Sequence, residues 1–147
     1  MDGVKDFFAD VRASKDYDKA IAMIPYAHFL GAHFSETEQG SLLFRLPFNE
    51  KNIGNTMLPA LHGGVIAGFM ENAAVISLMW TMESSSMPKI IDFNIDYILS
   101  GRAQETYARC DIVKLGKRIA NVQITAWQDD PAKAIAVARS HFKLIRE

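Results

Sequence analysis

The twenty residues from Gly63 to Met82 are apolar almost without interruption, and no other stretch limits the possible folds so tightly. A helix of that length is long enough to cross a bilayer. Glu71 and Asn72 stand at its middle, however, where a charge is costly in lipid. No basic flanks set a membrane orientation. A helix apolar on every side is equally at home inside its own domain. The expected element is therefore a buried helix from about His62 to Met82, in a protein that does not enter the membrane.

The rest of the chain supplies what would wrap that helix. Residues 3–12 and 16–24 have helical spacing, Val4, Phe7, Phe8 and Val11 in the first and Ala20, Ile21 and Ile24 in the second. Pro25 is expected to end the second helix. Phe29 to Phe34 reads as a strand, Glu36 to Gly40 as a hairpin loop, and Ser41 to Pro47 as the returning strand. Residues 48–60 read as a loop rich in Asn, Gly and Pro, and Ser84 to Pro88 breaks the long helix. Strands are then expected at 90–98, 104–115, 118–127 and 133–145, with tight turns at Leu115-Gly116-Lys117 and Asp129-Asp130-Pro131. Within them, Phe93, Ile95 and Tyr97 share one face, as do Ala120, Val122, Ile124 and Ala126. This order predicts an α+β fold in which an antiparallel sheet curls around one long helix. No repeat or linker divides the 147 residues, 49% of them hydrophobic, so one domain spanning 1–147 is expected, with the N-terminal helices in 1–24.

Charge and cysteine content narrow the function. Sixteen basic against seventeen acidic side chains argue against nucleic acid as a partner. Cys110 is the only cysteine, which excludes an intrachain disulfide and any site built on two cysteines of one chain. It alternates with Ala108 and Ile112 as a small core residue would. His28, His33, His62 and His141 show no metal-ligand spacing, and no metal or cofactor is expected. The acidic start, Met1-Asp2-Gly3, carries no apolar leader, so the expected compartment is the cytoplasm.

The chemistry concentrates between Asn55 and Ala74. Two glycines after His62 open the long helix and leave backbone N–H groups accessible to a ligand. With the positive end of the helix dipole, those donors suit a carbonyl on which negative charge develops. A tight turn against the sheet would also account for Gly63 and Gly64. Glu71 adds weight to the chemical reading, because a carboxylate amid Phe69, Met70, Ala73 and Ala74 is costly to ionise and fits a general base or nucleophile. Gly63 and Glu71 lie eight residues apart, about 12 Å along a helix axis. One small carbonyl cannot touch both from one helix, so a shared site implies a homodimer with two equivalent centres.

His62-Gly63-Gly64, the acid nine positions after the histidine, and Asp92-Phe93-Asn94-Ile95-Asp96-Tyr97 resemble the hotdog-fold thioesterases of the PaaI type. Gly116-Lys117-Arg118 and Ile24-Pro25-Tyr26 before Leu30-Gly31 fit the same pattern, so the resemblance covers roughly residues 24–145. It implies a six-stranded sheet around a central helix, a homodimer or homotetramer, and hydrolysis of acyl-CoA thioesters. By position, the Gly63 or Gly64 amide would polarise the carbonyl and Glu71 of the partner chain would activate water or attack. His62 and Asn55 would position the thioester. Arg102, Lys117 and Arg118 are candidates for the CoA phosphates, although solvated turns explain them as well. Two alternatives remain open: an acyl-thioester dehydratase on the same fold, and a non-catalytic acyl-CoA or hydrophobic-ligand binding module. Ile90, standing where such enzymes commonly carry a Ser or Thr, is the best support for the second.

Overall fold

A computed structural model describes residues 3–83 and 86–145, with side chains from Asp6 onward. Three short helices, α1 (Gly3–Ser14), α2 (Asp18–Ala22) and α3 (Pro25–Leu30), come first. The hairpin β1 (His33–Glu36) and β2 (Leu42–Leu46) follows, and then a small two-stranded sheet of β3 (Ile53–Asn55) and β4 (Ala60–Leu61). Helix α4 (Gly63–Met82) leads into β5 (Lys89–Tyr97), β6 (Thr106–Leu115), β7 (Ile119–Trp127) and β8 (Ala134–Lys143). The main sheet has six antiparallel strands in the order β1-β2-β6-β7-β8-β5. It wraps α4, and this is the hotdog fold.

The reason for the wrapping lies in α4 itself. Every residue from Ala73 to Trp80 is buried, more than two turns with no solvent face. Small side chains on the inward face of the sheet let it close on the helix. Ala108, Ala120, Ala126 and Ala136 are fully buried there, beside Val122, Ile124 and Phe142. Aromatic rings fill the wider end, where Phe34 lies 5.4 Å from Phe44 and 5.7 Å edge-on from Trp80. By length and composition α4 would pass for a membrane span, but most of it is buried inside the fold.

The register gives the sheet two ends. At one, Tyr97 of β5 faces Ala136 of β8, which faces Ala126 of β7; α4 begins beside Tyr97. At the other, Lys89 faces Lys143, which faces Ile119, and the β6–β7 turn lies there. Strand β5 forms one edge of the sheet, and Ile90, Ile91, Ile98 and Leu99 on or just after it are exposed. A bulge between Ile90 and Asp92 breaks its ladder, and the buried Ser140 hydroxyl donates to the Asp92 carbonyl at 2.7 Å.

Several expectations need correction. Pro25 does not merely stop the second helix, which is shorter than 16–24. It starts α3 at N1, where its fixed φ is favourable and its missing N–H costs nothing. Phe29 and Leu30 are therefore helical, Gly31 caps α3 in the left-handed region (φ 73°), and the strand begins only at His33. The loop at 48–60 holds a 3-10 turn, Glu50–Asn52, and the β3–β4 hairpin. Tyr97 lies on the β5 face expected to hold Phe93 and Ile95 and is half-exposed there. Ser84 and Ser85 of the predicted helix breaker lie outside the described residues, as does the Val4 side chain; α4 ends at Met82, with Glu83 in the left-handed region at φ 48°.

Helix α1 reaches that end of α4. Phe8 packs edge-on against Trp80 at 6.0 Å, and the Arg12 guanidinium donates to the Trp80 carbonyl at 2.6 Å while lying 4.5 Å over its ring. The same guanidinium pairs with Glu83. One half-buried cation thus satisfies an orphan carbonyl of the last helical turn. Arg12→Ala should lower unfolding stability by about 1–3 kcal/mol through loss of that bond and the cation–π contact. Urea titration should show this as a shifted midpoint with the slope unchanged.

Candidate functional site

The site is built at the start of α4. The small hairpin aligns Ile53 with Leu61 and Asn55 with Ala60, and three backbone anchors fix the approach: β4, Leu61 N–H to the Gly101 carbonyl (2.8 Å), and His62 N–H to the Asn52 carbonyl (2.8 Å). Gly54 is needed for this close approach, since a Cβ there would lie 2.7 Å from the His62 Cα. His62 then caps α4 from extended backbone, with Nδ1 accepting from the Gly64 N–H at 2.9 Å. Its carbonyl accepts from Val65 at 3.0 Å and Ile66 at 3.3 Å. Nδ1 must be unprotonated to accept, which places the ring proton of neutral His62 on Nε2.

These bonds separate the two glycines. The Gly64 N–H is occupied by His62, whereas the Gly63 N–H has no partner among the described residues. The Gly63 carbonyl accepts from Tyr97 Oη at 2.7 Å. The peptide unit joining Gly63 to Gly64 is therefore held at both its C=O and its N–H, and the one before it presents a free donor at the positive end of the helix.

Glu71 lies eight residues further on, partly exposed, with no hydrogen bond or ion pair among the described residues. Burial holds its carboxyl above the usual Glu range, with no cation nearby to bring it down. The adjacent Asn72 Nδ2 is buried and has no hydrogen-bond partner among the described residues, an omission that costs about 1–3 kcal/mol unless an acceptor arrives from outside. Gly63 and Glu71 share one helix, and the chain does not bring them together.

The other predicted residues are spread around this centre. Asn55 closes β3, its Oδ1 accepting from Met57 N–H at 3.0 Å. Arg102 pairs with Asp129 and bridges to Ala60, behind β4. Lys117 and Arg118 occupy the β6–β7 turn, exposed and without ion pairs among the described residues, beside a cavity of about 410 Å³ that Lys114, Asn121 and His141 also line. Arg102 and this turn are at opposite ends of β6, about 30 Å apart. Ile90 sits 42% exposed on β5, at the end away from Gly63. Sequence reasoning missed Gly54 and Tyr97 as a hydrogen-bond donor; Tyr26, quoted there only within the Ile24-Pro25-Tyr26 pattern, has a ring edge that would lie 3.0 Å from a Cβ on Gly68. Tyr97 was legible as one position of an alternating strand and as the last residue of the Asp92–Tyr97 pattern, neither of which marks it as a donor to Gly63. Among the described residues no cluster of His, Cys, Asp or Glu has the geometry of a metal centre.

Comparison with known proteins agrees with the fold. The thioesterase superfamily profile matches residues 58–135, which include β4, α4, β5, β6 and β7, and the chain belongs to that superfamily. A crystal structure of a protein from Chromobacterium violaceum is 50% identical and superposes with a TM-score of 0.77, over 95% of this chain and 97% of that one. A Bacillus halodurans protein crystallised with CoA is 23% identical, with a TM-score of 0.74 over 95% and 93% of the two chains. A phenylacetic acid degradation-related protein of Ralstonia eutropha is 17% identical, with a TM-score of 0.72 over 82% and 90%. A search of curated proteins finds no match.

The state of Glu71 has a thermodynamic consequence. Its folded pKa is raised, so in acid it is protonated in both folded and unfolded chains and has no effect on their balance. As pH rises past the ordinary value near 4.5 and through the folded pKa, the unfolded chain ionises more readily and stability is lost. Glu71→Gln should therefore match the native protein in acid and become the more stable of the two towards neutral pH. Urea titrations across that range should show the gap opening and then levelling; a constant gap would contradict the assignment.

Proposed function

We propose that the protein hydrolyses acyl-CoA thioesters at a site formed between two copies of the chain. The free Gly63 N–H at the start of α4 carries this reading, because a donor fixed at a helix N-terminus suits the oxyanion of thioester cleavage. Gly63 polarises the thioester carbonyl. Glu71 of the partner, poorly solvated and unpaired, takes a proton from water or attacks the carbonyl itself. His62 secures the Gly64 amide and so acts on the site's shape, and Asn55 flanks the thioester from the hairpin. With water as nucleophile, the addition gives a tetrahedral intermediate whose collapse expels the CoA thiolate, which takes up the proton held by Glu71, and leaves the free acid. Attack by Glu71 itself expels the thiolate to leave a mixed anhydride, which water then hydrolyses to the acid and free Glu71.

The need for a second copy follows from the 12 Å between Gly63 and Glu71, an approximate span set by helix rise. Strand β5 offers the means, as a nine-residue edge with exposed Ile90 and Ile91. Such an edge is a template for pairing. Pairing β5 with itself about a two-fold axis is antiparallel, so the partner's β6–β7 turn arrives at the end where Gly63 lies. Three strand spacings then separate this chain's β5 from the partner's β7, about 14 Å across the sheet. In this arrangement the CoA phosphates meet Lys117 and Arg118, whose charges are free, in preference to Arg102, which Asp129 already holds. The buried Asn72 amide gains a route to an acceptor on the partner or substrate. The Bacillus halodurans relative crystallised with CoA supports this ligand class.

Two other readings make different predictions. A dehydratase would use histidine in acid–base catalysis, and Nδ1 of His62 is engaged as a helix cap. Hydration of enoyl thioesters would restore that reading. Ile90, with no hydroxyl to place water, favours a binding module, which would retain acyl-CoA without turnover.

Short, medium, long and aromatic acyl-CoAs, assayed by release of free thiol, should include at least one that is turned over. Glu71→Gln should lower kcat/KM for that substrate by roughly 10²-fold or more while the fold stays intact. Full activity in Glu71→Gln would refute its catalytic role. Light scattering at micromolar concentration should report a dimer or tetramer, and an active monomer would refute the shared site.

A further inference from the structure

Consecutive glycines at the start of a helix are a poor foundation for an oxyanion site. They have the widest backbone freedom of any pair, and the first turn of a helix lacks intrahelical partners for its N–H groups. A donor lowers a barrier only when its direction is fixed before the charge develops. His62 fixes the Gly64 N–H, yet makes no contact of that kind with the Gly63 N–H. The residue that holds Gly63 is Tyr97, at the end of β5, thirty-four positions away in sequence. Its hydroxyl donates to the Gly63 carbonyl at 2.7 Å. Its Cζ and Oη lie 3.1 Å from the place a Gly63 Cβ would take, and its Cε1 lies 3.3 Å from it.

We propose that Tyr97 is a positioning residue that clamps Gly63 by carbonyl and Cα face together, so that the free Gly63 N–H is held towards the thioester oxygen. This inference rests on the thioesterase reading above. The ring fills the space of the missing side chain, which explains glycine at 63 by contact as well as by flexibility. The hydroxyl and His62 act on one peptide unit from opposite ends: donation to its C=O polarises its N–H and strengthens the bond from Gly64 to Nδ1. The preceding unit, which carries the Gly63 N–H, has its own carbonyl bonded to Val65 and Ile66, and fixing the next unit removes the rotation that remains at Gly63. Tyr97 also belongs to the edge strand proposed to pair with a second copy, which would tie the direction of the donor to assembly.

Tyr97→Phe tests the hydroxyl while keeping the ring. The native protein, Tyr97→Phe and Glu71→Gln should be compared for kcat, KM, melting temperature and amide hydrogen exchange of the segment spanning residues 60–66. The expected result is a kcat reduced roughly 10- to 100-fold, the scale of a small misplacement of a catalytic group. KM should stay within about threefold, as for an interaction made only in the transition state. The melting temperature should stay close to native, and exchange should accelerate only in the 60–66 segment. Native kcat in Tyr97→Phe would overturn the proposal. So would parallel losses in kcat, KM and melting temperature, which would make Tyr97 a structural residue only. If the native protein hydrolyses no thioester, the functional reading fails, and the clamp is judged by exchange alone. Faster exchange confined to residues 60–66 would uphold the clamp, and unchanged exchange would overturn it.

Discussion

A helix with no polar side cannot rest on a surface; it has to be enclosed. The stretch from Ala73 to Trp80 imposes that requirement, and most of the architecture answers it. Alanines on the inward face of β6, β7 and β8 let the sheet approach the helix closely. The aromatic group around Trp80 fills the wider end, and α1 closes it with Arg12. Apart from its last two residues, only the first half of α4 escapes full enclosure. Gly64, Ala67, Gly68, Glu71 and Asn72 remain partly exposed there, and the candidate chemistry lies on the same half.

The readable parts of the sequence were those set by periodicity and composition. Alternation placed β6, β7 and β8 almost to the residue, because each has one face against α4 and one away from it. The segment from Pro25 to Gly31 was misread because Phe29 and Leu30 look alike in a strand and in a one-and-a-half-turn helix. The deciding facts were the proline at N1 and the left-handed cap at Gly31. The β3–β4 hairpin left little pattern, having only two aligned residue pairs and a register shift. At the site, the chemical types of His62, Gly63 and Glu71 could be read directly. Which glycine amide is free could not, since that depends on the ring orientation of His62 and on a tyrosine from a distant strand.

Four unsatisfied features distinguish the helix start and β5 from the closed core. Among the described residues the Gly63 N–H is unbonded, Glu71 is unpaired, Asn72 Nδ2 is buried without a partner, and β5 has no neighbour on its outer side. Interior polar groups elsewhere are well satisfied: Gln128 bonds the Arg102 backbone and Thr106, and Ser140 bonds Asp92. An isolated chain would leave each of the four as a cost. A second copy and a thioester between them would answer all four, which is why the proposed assembly and the proposed reaction stand together.

Cys110 lies on the inward face of β6, where burial pushes its thiol up to about 12, with Ser77 of α4 as its hydrogen-bonding neighbour. A raised pKa disfavours the thiolate, the form that reacts with disulfides and maleimides. The protein's own sulfur is therefore slower towards reagents that detect free thiols than an unperturbed cysteine would be. Cys110 is only partly buried, so slow labelling of this one native sulfur would report its suppressed thiolate rather than the parting of the sheet from its helix.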